Sequence, residues 1–200
     1  MLISIAFAIA LTLPVTPDMP RTDVVPVDFP TGGGPGIGYP GGAVVNRISN
    51  LPMSAEAQAV FDSDFQATGY FGAFAMSKDG GYGYSSGVGS LEAAHDIAMA
   101  QCVSLNGNCT VTAELLPQGY TPPAPGSVTL SQQVYGHFVN AAKNPDYQAL
   151  AVSEDGAFAM YWGMASQAEA DSAALADCET NRESALVLRP MPCVLVTNLP

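Results

Sequence analysis

His95 lies beside Asp96 and three residues from Glu92, and an imidazole among carboxylates is the equipment of a general base or part of a metal site. Gly83-Tyr84-Ser85-Ser86-Gly87 has the G-x-S-x-G spacing of a nucleophile elbow, which needs an acid and then a histidine further along the chain. Asp96 has only His137 after it, and the sheet these short strands can build is too small for such a site, so Ser85 reads as a strand residue. Asp62-Ser63-Asp64 opens like a calcium loop, yet the sixth place is Ala67 and the twelfth Ala73, where that loop needs glycine and glutamate. Helix-end carboxylates are expected there. Cys102, Cys109, Cys178 and Cys193 lack the C-x-x-C spacing of a zinc site and read as two disulfides.

The chain that must position these groups has 200 residues, with 6 Lys and Arg against 18 Asp and Glu, for a formal charge of -12. That balance excludes a nucleic-acid surface and a polybasic membrane patch, both of which need clustered cations. With 48% hydrophobic and only 12% charged residues, the composition is that of a folded domain.

Leu2 to Val15 form an apolar run at the amino terminus, shorter than the ~20 residues a spanning helix needs. Residues 1–17 are therefore expected to be a secretory signal, leaving no stable membrane span after cleavage and a periplasmic or secreted location. Residues 18–50 are Pro-rich, then Gly-rich, and read as a disordered linker. Gly36, Gly38 and Gly41 fit G-x-G-x-x-G, but Pro35 and Pro40 deny the flanking strand and helix, so no dinucleotide or other cofactor is expected.

An internal repeat organises the remainder. An offset of 76 positions aligns Phe71–Cys102 with Tyr147–Cys178 without a gap, with eleven identities among 32 positions. Among them are Asp79-Gly80 with Asp155-Gly156, Ser90 with Ser166, and Cys102 with Cys178. The Asp-Gly pairs predict three-residue hairpin loops with a bulge, which set Met76 opposite Tyr82 and Phe74 opposite Tyr84. One hairpin face then carries large side chains and the other only Ala and Gly, whereas a two-residue loop would mix them. Ser90 and Ser166 each open an Ala-rich helix as amino-terminal cap. Further helices are expected over 54–65 and 131–143. The fold class expected is α+β: two tandem α-β-β-α-β repeats, 51–117 and 130–200, joined by a connector over 118–129. Three cysteine pairings are open, and the repeat favours Cys102 with Cys109 and Cys178 with Cys193, one per unit.

The repeat also weighs the candidate chemistry. His95 corresponds to Asp171, so the imidazole site is not duplicated with the fold, and a solvated helix face is the simpler reading. Glu169, Asp171, Asp177, Glu179 and Glu183 likewise read as a solvated acidic face. The large hairpin faces are the most informative surfaces. Phe74, Tyr82 and Tyr84 in the first unit, and Phe158, Met160 and Trp162 in the second, are either covered by the preceding helices or exposed as a binding patch.

Gly72-Ala-Phe-Ala-Met-Ser, Gly-Tyr-Gly-Tyr-Ser, an Ala-rich helix ending in Cys102 and the following Asn-Cys-Thr-Val together resemble a bacterial secreted domain-of-unknown-function family, here in two copies. Its members share a G-A-x-A-x-S hairpin, an Ala-rich helix and a nearby cysteine pair. The second unit, with Pro192-Cys193-Val194, is similar to short exported proteins sometimes labelled aminolaevulinate synthase, although that chemistry needs a Schiff-base lysine in a far larger fold. The resemblance implies export and a disulfide, and assigns no catalytic residues. The expected function is a non-enzymatic, disulfide-stabilised binding or interaction module of the bacterial envelope, engaging an envelope protein or a polysaccharide. The alternatives are a small envelope hydrolase using His95 with Glu92 or Asp96, and a purely structural spacer.

Overall fold

The computed structural model describes residues 33–67, 69–143, 146–182 and 189–199. The expected signal, the linker as far as residue 32 and Glu183 lie outside the described residues. The chain begins with two strands, β1 (Gly36–Ile37) and β2 (Ala43–Arg47). A short helix, α1 (Ala55–Val60), follows; Ser54 caps it by accepting a 3.1 Å hydrogen bond from the Ala57 N–H. A π-helical turn, Phe61–Phe65, extends α1 and buries both phenylalanines. Strands β3 (Phe71–Ser77) and β4 (Tyr82–Val88) form a hairpin, followed by helix α2 (Leu91–Asn106) and strand β5 (Cys109–Pro117). After β6 (Val128–Thr129) come α3 (Gln132–Asn140), a 3-10 turn at Ala141–Lys143, a second hairpin of β7 (Ala149–Val152) and β8 (Phe158–Tyr161), α4 (Gln167–Asn181) and β9 (Val194–Leu195). The fold is mixed α+β.

Three sheets result. The largest has the order β2-β5-β3-β4 and is antiparallel throughout; the second has the order β8-β7-β9. The third is the parallel pair β1-β6. Both hairpins adopt the register the size pattern predicts, with Phe74 opposite Tyr84, Met76 opposite Tyr82, Leu150 opposite Met160 and Val152 opposite Phe158. Gly80 and Gly156 take φ of 88° and 99° in the loops, a region that costs glycine little. Cys102 pairs with Cys109 and Cys178 with Cys193, each with Cα atoms 6.1 Å apart.

Each hairpin is the middle layer of a sandwich. Ala73 and Ala75 pack with Ala94, Ala98 and Cys102 of α2, while Phe74 and Met76 pack with Ala57, Phe61 and Phe65 on the opposite face. In the second hairpin Ala149, Ala151 and Ala159 meet Ala170, Ala174 and Cys178 of α4; Leu150 and Val152 meet Leu130, Val134 and Val196. The small faces exist because the helices come close. A methyl group on Gly83 would lie 2.5 Å from the Cys102 nitrogen and 2.6 Å from the Ala98 oxygen.

The linker expected through residue 50 is corrected over its described part. Its glycines permit close approach rather than mobility: a Cβ on Gly34 would lie 1.8 Å from the Gly126 oxygen, and one on Gly38 1.9 Å from the Tyr135 ring. The backbone there is paired on both sides. Val128 N–H donates to Pro35 O at 2.9 Å, Thr197 N–H to Gly34 O at 3.1 Å, and β2 runs beside β5 over five residues. Tyr39 is buried, and its hydroxyl donates to Thr121 O at 2.8 Å.

Candidate functional site

The expected group of His95, Glu92 and Asp96 is divided in the folded chain. The His95 Nε2 atom lies 2.9 Å from Glu114 Oε1 on β5, and the other oxygen of Glu114 accepts from the Asn46 amide on β2 at 3.1 Å. Asp96 and Glu92 instead face Arg189, at 2.7 and 3.4 Å from its Nε. Arg189 also bonds the Glu154 carboxylate in the second hairpin loop. Glu154 in turn accepts from the Ser90 hydroxyl at 2.7 Å, and its backbone oxygen accepts from Gly89 N–H at 2.8 Å. Glu114, Glu154 and Arg189 were not predicted as partners. Each lies 19 or more residues from the group it meets, and sequence spacing carries no signal for such a contact.

Arg189 thus ties α2 to the loop of the second hairpin. Burial works against the charged form of Glu154, but the bonds from Arg189 and Ser90 outweigh it and hold the carboxyl below its ordinary 4.5. Because the folded state gives up this proton more readily than the unfolded one, its stabilisation is complete above 4.5 and is lost as pH falls through the depressed value. Glu154→Gln is expected to cost about 1 kcal/mol at neutral pH, a modest figure for a half-exposed network. Urea unfolding of both proteins checks this: the difference should shrink as pH falls through the depressed value and the folded carboxyl takes up its proton.

Ser85 is buried, and its hydroxyl donates to Ala94 O at 2.8 Å, which fastens β4 to α2. Among the described residues no three His, Cys, Asp or Glu side chains come together to hold a metal ion. Asp62 accepts from Gln58 at 2.9 Å on the helix surface.

The aromatic faces divide as well. Phe74 is fully buried, its ring 5.2 and 5.5 Å from Phe61 and Phe65, so it is removed from the candidate binding residues. The reason is local. Ala57, Phe61 and Phe65 recur every four residues and present one apolar stripe to the hairpin. Tyr82 and Tyr84 stand beside Phe74 with ring planes inclined by 8° and 18°, and remain partly exposed. Burial, and next the Glu56 carboxylate that the Tyr82 hydroxyl bonds, push the Tyr82 phenol upward. Phe158 and Met160 are half-buried against the α3 layer, while Trp162 is 52% exposed.

A groove follows the outer edge of β4. Its first section, a cavity of about 650 Å³, has Glu56 on one wall, Gln101, Ser104 and Leu105 of α2 on the other, and the Asp79–Gly81 loop at its end. The second section, of about 540 Å³, continues past Tyr84 to Val88 and is bounded by Ile97, Gln101, Asn181 and the loop at Asp155–Ala157. Tyr84 and Gln101 line both sections. Among the described residues β4 is the last strand of its sheet, and its outer edge forms the floor. The second section therefore lies where the two hairpins meet. It offers uncharged hydrogen-bonding groups and carboxylates; Arg182, at its margin, is already paired with Asp155 and Glu179 at 3.3 and 2.8 Å.

No helix among the described residues is long and apolar enough to cross a membrane. No family model matches the chain, and neither a curated protein nor a solved structure shows significant similarity to it.

Proposed function

We propose that this chain is an exported, non-enzymatic binding module of the bacterial envelope, built from two tandem α-β-β-α-β units. The observation that carries the binding reading is the groove along β4, which reaches the second hairpin at one end and is lined by partly exposed tyrosines and side-chain amides. Concave sites with a few convergent polar groups are where ligands bind. Two observations weigh against the hydrolase: Glu92 and Asp96 face Arg189 and not His95, and the Ser85 hydroxyl is spent on Ala94 O. Duplication is supported by matched detail at the offset of 76, including both loop glycines, both serine caps and the helix cysteine of each helix-to-strand disulfide. The disulfides and the resemblance to secreted bacterial proteins support an oxidising compartment, the periplasm or the exterior.

Phe158, Met160 and Trp162 remain a second surface in this proposal, with Trp162 its exposed member. The test has two parts. Fractionation of cells producing the full chain should place it in the periplasm or medium with no thiol open to alkylation before reduction. The immobilised oxidised chain should retain members of a linear-peptide library or a glycan array above a reduced, unfolded control. Retention of neither class, or reduced protein in the cytosol, contradicts the proposal.

A further inference from the structure

The binding groove runs along a strand edge that no other described strand pairs, and this determines what fits it. In an antiparallel hairpin the N–H and C=O of alternate residues point to the partner strand and to the open edge. The loop fixes the phase: Ser77 N–H donates to Gly81 O at 2.9 Å, so Gly83 and Ser85 face β3, and Tyr82, Tyr84 and Ser86 face outward. One contact confirms the phase independently, since the Tyr84 N–H donates to the Gln101 side-chain oxygen at 3.3 Å. The Gln101 amide stands where the carbonyl of a neighbouring strand would stand. The other half closes the far end of the same edge with backbone, Gly89 N–H donating to Glu154 O at 2.8 Å. The edge is thus already used for backbone pairing at one end and held by a side-chain surrogate in the middle.

The equivalent edge in the second unit is closed differently. β8 has four residues, and the Phe158 carbonyl accepts from the Asn181 amide at 3.0 Å. Exposed edges are normally shortened or blocked against strand addition. β4, with seven residues, retains a groove of two sections, the first between α1 and α2 and the second between α2 and the Asp155–Ala157 loop.

Resting on the binding-module reading, we propose that the β4 groove takes an extended polypeptide segment as an added strand, with ligand carbonyls displacing Gln101 from the Tyr84 N–H. Charge selects among peptides. Glu56 and Asp79 line the groove in a chain of net charge -12, so a segment carrying Lys or Arg fits and an acidic one is repelled. Leu105, 75% exposed at the groove wall, adds a contact for an apolar side chain.

The test uses the oxidised full chain and a displayed library of linear dodecapeptides, followed by synthetic copies of the selected sequences. Selected peptides should be basic, and methylating their backbone nitrogens should abolish binding at one alternating set of positions and spare the other. Ser86→Pro removes an outward N–H without touching the β3 pairing. It should weaken binding at least about tenfold, while Gln101→Ala should strengthen it several-fold by removing the competitor for the Tyr84 N–H. Should Ser86→Pro fail to fold, the N-methyl series decides alone. Peptides indifferent to N-methylation, or bound through Trp162, overturn the strand-addition proposal and leave the binding module standing. Retention of glycans alone does the same. Retention of nothing removes both.

Discussion

Phe74→Ala is expected to destabilise the chain by about 3–5 kcal/mol, the range for deleting a buried phenylalanine. Its ring sits among Phe61, Phe65, Tyr82 and Tyr84, all with centroids within 6.1 Å, and is wholly shielded from solvent. Truncation leaves a cavity that two helical phenylalanines and two strand tyrosines cannot jointly collapse into. Urea unfolding followed by near-ultraviolet circular dichroism measures the loss. A shift under about 1 kcal/mol would show that the ring is not a core element and would restore it as a candidate contact for ligands. Tyr82→Ala, at a partly exposed position, should cost less stability and more binding.

The second large effect concerns the longer staple. Replacing Cys178 and Cys193 together by serine is expected to cost about 3 kcal/mol, since their separation of 15 residues closes a sizeable loop. Cys102 and Cys109, 7 residues apart, close a smaller loop and should contribute less. Local structure sharpens the contrast. Cys193 introduces β9, which has two residues, pairs with β7 through Val194 to Val152 and Leu195 to Ala151, and on its other side accepts a single 3.3 Å bond at Leu195 O from Gly34 N–H. Cys109 opens β5, whose nine residues lie between β2 and β3. Without its disulfide β9 should detach while β5 holds. Hydrogen exchange reads this at the amides of β9 and β5; equal protection losses at both would contradict the ranking.

The hairpins could be read in advance because their information is local. Asp-Gly selects the loop, and segregated small and large residues admit one register only. The serine caps and the pairing of neighbouring cysteines are legible for the same reason. What the sequence withholds is non-local. Nothing around Ala43–Arg47 announces a partner at Ala113–Pro117, and glycines that serve close packing look like glycines that serve mobility. Arg189 meets Glu154 across 35 residues and Glu92 and Asp96 across more, so the supposed catalytic carboxylates read as free. The groove was hidden for a related reason. The alternation of large and small residues points to the faces carrying Tyr82 and Tyr84, whereas the binding feature is the strand edge between the faces, and edge status depends on the whole sheet order. Gln101 shares a helix with His95, but only the folded strand shows its amide against the Tyr84 N–H.

Hydrogen exchange on the oxidised chain, with and without a selected basic peptide, addresses the binding account at the atoms it names. Tyr82, Tyr84 and Ser86 should gain protection on binding, with Gly83 and Ser85, already paired to β3, unchanged. Protection confined to the amides around Trp162, or no change along β4, would contradict it.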